Sequence, residues 1–161
     1  MRSIAIDGPS GAGKSTFSRK LAKITGLPLH HLDKIWFDSA GEHVPREVFD
    51  ARLASILSGD EWIIDGNYQR TLEVRIKACN TVFLLDMPKD VCLNGIRERS
   101  GKKRADMPYI PKENDIEFLT RVENFGKNEL PWIYRLLEAY KDKTIVILHS
   151  REEIDKYISS L

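Results

Sequence analysis

The 161-residue sequence predicts an α/β fold, with a mainly parallel five-stranded sheet covered by helices, and three observations carry that expectation. Four short apolar runs, "SIAI" at 3–6, "WII" at 62–64, "TVFLLD" at 81–86 and "TIVIL" at 144–148, lack clean alternation, as strands buried on both faces do. Segments of helical pattern separate these runs, and strands that alternate with helices make parallel sheets. A glycine-rich loop joins the first run to the first helical segment. One domain is expected over 1–161, since a chain of this length builds a single core.

Taken in order, "IAID" opens the sheet and "KSTFSRKLAKIT" at 14–25 is the first helix. "LPLHHLD" at 27–33 is a weaker strand candidate that ends on Asp33, and "REVFDARLASIL" at 46–57 follows as a helix. The run at 62–64 stops on Asp65, the run at 81–86 ends on Asp86, and "PKDVCLNGIRER" at 88–99 reads as a helix. A long helical region extends from about 114 to 140, and Ser150 with Glu153 forms a capping-box signature that opens a last helix after the 144–148 strand.

The sharpest motif is "GPSGAGKST", made of Gly8, Pro9, Ser10, Gly11, Ala12, Gly13, Lys14, Ser15 and Thr16, which satisfies G-x-x-x-x-G-K-[ST]. It sits between a strand and a helix, so loop amides and the positive helix end converge on an anion. Glycine lets such a backbone approach phosphate oxygens closely. Lys14 is expected on the β and γ phosphates of ATP or GTP, and Ser15 on Mg2+. Phosphoryl transfer also needs carboxylates near the metal, and Asp65 and Asp86 stand at strand ends where a parallel sheet collects its ligands. Each has a plainer reading as a carboxylate that ends a strand in a turn.

Beyond the glycine-rich loop, "WIIDGNYQRT" and "VFLLDMPKDVCLNGIRER" resemble the "LLDGFPRT" segment, next strand, proline turn and arginine-bearing helix of adenylate kinases. The sequence also resembles the small P-loop proteins called DNA topology modulation proteins. Their "HLD…W", "IDGNY…R" and "FL…R" features match His31 to Asp33 with Trp36, Ile64 to Tyr68 with Arg70, and Phe118, Leu119 and Arg121. The resemblance implies a three-layer P-loop fold like that of nucleoside-monophosphate kinases, with ATP and Mg2+ as ligands. It further implies that Arg70 grips an acceptor phosphate, and that Arg99 and Arg121 close on the transferring phosphates. Gly95 stands where those kinases carry the first lid-helix arginine, and Tyr68 where they carry a proline.

The stretch "RERSGKKRADMP" reads as a short lid, about 100–111, as a solvated helix end, or as a nucleic-acid contact. Asp33 is a candidate base for an acceptor hydroxyl, and Trp36 a candidate stacking surface, in an acceptor-side region at about 30–60; core packing is the competing reading for Trp36. The balance of 25 basic and 24 acidic residues gives no global field for a polyanion, so the expected partner is a small phosphate acceptor rather than nucleic acid or membrane. Cys79 and Cys92 are too few for a disulfide framework, and "MRSIAIDG" lacks the apolar core of a signal peptide, so a cytoplasmic monomer or homodimer is expected. Three functions remain open at this level: a kinase of nucleotides or other small metabolites, a regulatory protein that hydrolyses ATP slowly, and a small-alcohol kinase of the shikimate or gluconate type.

Overall fold

In the computed structural model, which describes residues 1–161, five parallel strands pair in the order β2-β3-β1-β4-β5. They are β1 (Ser3–Asp7), β2 (Leu29–His31), β3 (Trp62–Asp65), β4 (Thr81–Leu85) and β5 (Thr144–Leu148). The helices are α1 (Lys14–Thr25), α2 (Leu32–Trp36), α3 (Arg46–Leu57), α4 (Leu72–Ala78), α5 (Lys89–Arg99), α6 (Ile116–Glu123), α7 (Phe125–Asn128), α8 (Leu130–Ala139) and α9 (Arg151–Ser159). A 3-10 turn, Gln69–Thr71, precedes α4.

Side chains alternate across each strand, so each strand feeds two cores. On one face Ile4, Ile6, Ile63, Phe83 and Leu85 pack against Phe17 and Leu21 of α1, Ile96 of α5 and Ile154 of α9. On the other, Ala5, Ile64, Val82 and Leu84 meet Phe49 and Leu53 of α3, Leu72 and Ile76 of α4, and Ile133 and Leu137 of α8. Three layers result, as expected. Because β1 is central, with β3 on one flank and β4 on the other, the loop after β1 opens at the point where strand order reverses.

Two expectations change. Strand β2 ends at His31, and Asp33 lies in the short helix α2 rather than on a strand. The helical region expected at 114–140 starts at Ile116, after Asp115 accepts the Phe118 N–H at 2.9 Å, and divides into α6, α7 and α8. Pro131 explains the last break, because it has no N–H to donate and suits the first turn of a new helix.

Candidate active site

The strand-to-helix loop after Asp7 forms a cradle in which the carbonyls of Gly8, Pro9, Gly11 and Ala12 are occupied by side-chain donors. Lys14 Nζ donates to Gly8 O at 2.8 Å and Pro9 O at 2.7 Å, while Arg151, at the start of α9, donates to Ala12 O at 2.9 Å and Gly11 O at 3.2 Å. The first amides of α1 have no partner inside the helix, so the donors that remain are those an anion uses. Gly95 now has a steric account. A Cβ there would sit 2.7 Å from Gly11 O, so α5 approaches the cradle only because residue 95 lacks a side chain. Burial holds the Lys14 ammonium below its usual range, against the pull of Asp7.

A cleft of about 1450 Å³ opens over this loop, and Lys14, Ser15, Asp33, Asp65, Arg99 and Arg121 all line it. Trp36 and Arg70 line it too, as do Ser10, Gly11, Gly13 and Thr16. Gly8, Pro9 and Ala12 lie buried in the loop behind it. Asp65 is 4 % exposed, with Oδ2 accepting from the Ser18 hydroxyl at 2.6 Å and Oδ1 lying 2.8 Å from His31 Nδ1. The Ser15 hydroxyl donates to Asp106 Oδ2 at 2.9 Å.

Asp86 is not brought to the cleft. It accepts from the Tyr134 hydroxyl at 2.7 Å and lies 3.4 Å from His149 Nδ1. Strand parity is the reason: Leu85 points into the α1 layer, so the next residue points into the α8 layer, whereas Ile64 points into the layer of α3, α4 and α8 and Asp65 toward α1. No cluster of three His, Cys, Asp or Glu side chains assembles a metal cage. Single hard oxygens, Ser15 Oγ with Asp65 and Asp106, suit Mg2+, which keeps several waters and takes one or two carboxylates beside substrate phosphates.

The segment after α5 folds over the cleft as a loop without regular structure. Gly101 N donates to Pro111 O at 2.9 Å, and Arg99 closes the base through two bonds to Glu113, 2.7 and 2.6 Å long. Arg104 joins the same Glu113 at 3.3 Å and Asp106 at 3.4 Å. Arg99 is thus brought to the cleft but paired within the loop, while Arg121 lines the cleft from α6 on an exposed face. Burial alone would raise the Asp106 carboxyl; Arg104 and the Ser15 hydroxyl outweigh it and hold it below the ordinary range.

On the acceptor side, Asp33 Oδ1 accepts the Tyr68 hydroxyl at 2.6 Å, and burial lifts the Asp33 carboxyl above its usual range despite that bond. Burial also raises the Tyr68 phenol, with Asp33 beside it. Trp36 stacks on His43 with ring centres 4.5 Å apart and meets Phe49 and Tyr68 edge-on, so it is both a packed side chain and a cleft wall. Arg70 makes a bidentate pair with Asp50 of α3, at 2.6 and 3.2 Å.

Sequence reasoning missed a charge pair under the site. Asp7 and Arg75, 1 % and 0 % exposed, lie 3.6 Å apart. Arg75 also donates to Gly66 O, Tyr68 O and Thr71 O, tying the turn after β3 to the base of the phosphate loop. Its signal was present: Arg75 follows Leu72 by three and precedes Ile76, a charge on the inward stripe of α4. The signal for Asp106 was the one acid inside an otherwise basic run.

No protein-family model matches the chain, and no curated protein does. Solved structures do match. Shikimate kinase from Acinetobacter baumannii in complex with shikimate superposes with a TM-score of 0.66 at 18 % identity, over 99 % of this chain and 90 % of that one. Deoxyadenosine kinase from M. mycoides with bound dATP gives 0.63 at 14 %, over 99 % and 98 %. A sugar kinase from Janibacter sp. gives 0.55 at 17 %, over 99 % and 93 %. At these identities the similarity is one of architecture, and this chain has the α/β fold of small P-loop kinases.

Proposed function

We propose that the protein is a kinase that moves the γ-phosphoryl group of ATP to a hydroxyl of a small molecule. The observation that carries this reading is Asp33, a half-buried carboxylate in the same cleft as the phosphate loop, held through Oδ1 by Tyr68 with Oδ2 free of protein partners. A carboxyl raised above its usual range is a better proton acceptor than an ordinary one, and a hydroxyl placed on Oδ2 would lose its proton there as it attacks. Lys14 and the first amides of α1 would hold the phosphates, and Arg121 would neutralise charge as the transfer proceeds. Mg2+ held by the Ser15 hydroxyl, with Asp106 beside it and Asp65 on its water shell, would supply further charge neutralisation on the phosphate oxygens.

Arg70 bears on the acceptor's nature. A phosphate-bearing acceptor calls for a dedicated guanidinium, and this one is engaged by Asp50. The neighbours' names agree with a hydroxyl, since shikimate, deoxyadenosine and sugars all carry one. The resemblance to the DNA topology modulation proteins rests on motif residues that mostly line this one cleft, Asp33, Trp36, Tyr68, Arg70 and Arg121 among them.

The test is ADP release from Mg·ATP with a panel of nucleosides, sugars, alicyclic alcohols and nucleoside monophosphates. A hydroxyl acceptor without phosphate is expected to stimulate release, and Asp33→Asn to abolish the stimulation while ATP still binds. Stimulation by monophosphates alone would make Arg70 an acceptor residue after all; slow release with no acceptor effect would favour a regulatory ATPase.

A further inference from the structure

The loop over the cleft is basic, with Lys102, Lys103 and Arg104 following Arg99, yet the side chain it sets against the phosphate loop is an acid. Asp106 is 5 % exposed and is the single acid in residues 100–112. One carboxylate oxygen meets Ser15 Oγ at 2.9 Å and the other meets Arg104 at 3.4 Å. Arg104 is shared between Asp106 and Glu113, and Arg99 is held by Glu113, so these two guanidiniums are balanced by two carboxylates and bring no surplus positive charge to Ser15. The group in direct contact with Ser15 is nonetheless a carboxylate, whose charge lies closer to that hydroxyl than does the guanidinium that pairs with it.

We propose that Asp106 is a specificity residue that makes nucleotide binding conditional on a divalent metal and anchors the lid to that metal. This rests on the reading of the phosphate loop as an ATP site. A metal-free triphosphate carries about four negative charges and would be pressed against a buried carboxylate, where repulsion is weakly screened. A divalent cation between them reverses the sign of the interaction. The donors would suit that cation: a hydroxyl and a carboxylate oxygen 2.9 Å apart are two hard oxygens close enough to be taken by one Mg2+, which would keep waters in its other positions. Because Asp106 belongs to the lid, the metal that relieves the repulsion also fastens the lid over the nucleotide. A nucleotide arriving without metal meets that carboxylate uncompensated and binds more weakly.

Calorimetric titration with a non-hydrolysable ATP analogue, in excess Mg2+ and in EDTA, tests this without turnover. Wild-type protein is expected to bind the Mg2+ complex at least about tenfold tighter than the free analogue, and Asp106→Asn to shrink that ratio by about tenfold, chiefly through tighter metal-free binding. An unchanged ratio overturns the proposal. Limited trypsin digestion at Lys102 and Lys103 needs no variant: the Mg2+ complex should protect these sites in wild-type protein and the analogue in EDTA should not, so equal protection overturns the proposal as well. If the wild type binds the analogue in neither condition, the phosphate-site reading falls and the proposal with it. Binding with an unaltered ratio removes only the role of Asp106.

Discussion

Arg75→Met strikes the charge pair beneath the phosphate loop, and its cost follows from the contacts. Methionine fills most of the aliphatic volume, so the loss is electrostatic: Asp7 keeps a buried carboxylate without its ion pair, and the carbonyls of Gly66, Tyr68 and Thr71 lose a donor. Removing one partner of a buried pair costs about 3–5 kcal/mol. For a domain of this size that is a large share of a total of about 5–15 kcal/mol. At roughly 2–4 °C per kcal/mol it lowers Tm by roughly 6–20 °C. Urea unfolding followed by circular dichroism measures it. Adding Asp7→Asn removes the stranded charge, so the double variant should regain at least about 1 kcal/mol over the single one. The pH dependence has a fixed sign. Burial already places the Asp7 carboxyl above its usual range, so the folded variant takes up a proton as pH falls, and its deficit should shrink toward acid. A loss under about 1 kcal/mol at neutral pH, or a double variant no better than the single, would refute the reasoning.

Lys14→Ala should weaken binding of the Mg2+ complex of ATP by at least about tenfold with little change in Tm, because burial already disfavours the ammonium in the folded protein; calorimetry showing equal affinity would count against the phosphate loop. Asp33, with its carboxyl raised, should set an acid limb of kcat/KM above the ordinary carboxylate range. The same raised value means wild-type stability falls as pH climbs from the unfolded carboxyl's range through the folded one, so Asp33→Asn should be at least as stable at neutral pH while inactive, as thermal scans across pH would show. Arg70→Ala removes an exposed ion pair and should change stability by less than about 1 kcal/mol and leave acceptor KM unaltered; a tenfold rise in KM would identify a phosphate acceptor. Asp65→Asn should reduce the Mg2+ dependence of turnover and Asp86→Asn should not, measured by metal titration of ADP release.

The sequence by itself determined what depends on neighbours along the chain. A loop that offers consecutive amides is a local feature, so "GPSGAGKST" specifies its strand-to-helix turn in nine residues, and α1 and α3 occupy the ranges expected from their helical patterns because helix formation is local. The parallel sheet follows from strands that alternate with helices, and its two cores from side chains that alternate along each strand. Tertiary structure decided the pairings between distant charges. Asp106 reaches Ser15 across 91 residues and Arg151 reaches Gly11 across 140, distances over which sequence carries no register. Asp50 and Arg70 became partners only because α3 packs beside the turn after β3. Asp65 and Asp86 look alike as strand-end carboxylates, yet one residue of parity along a strand sends them to opposite layers of the sheet, and only the three-dimensional arrangement of those layers says which of them lines the cleft over the glycine-rich loop.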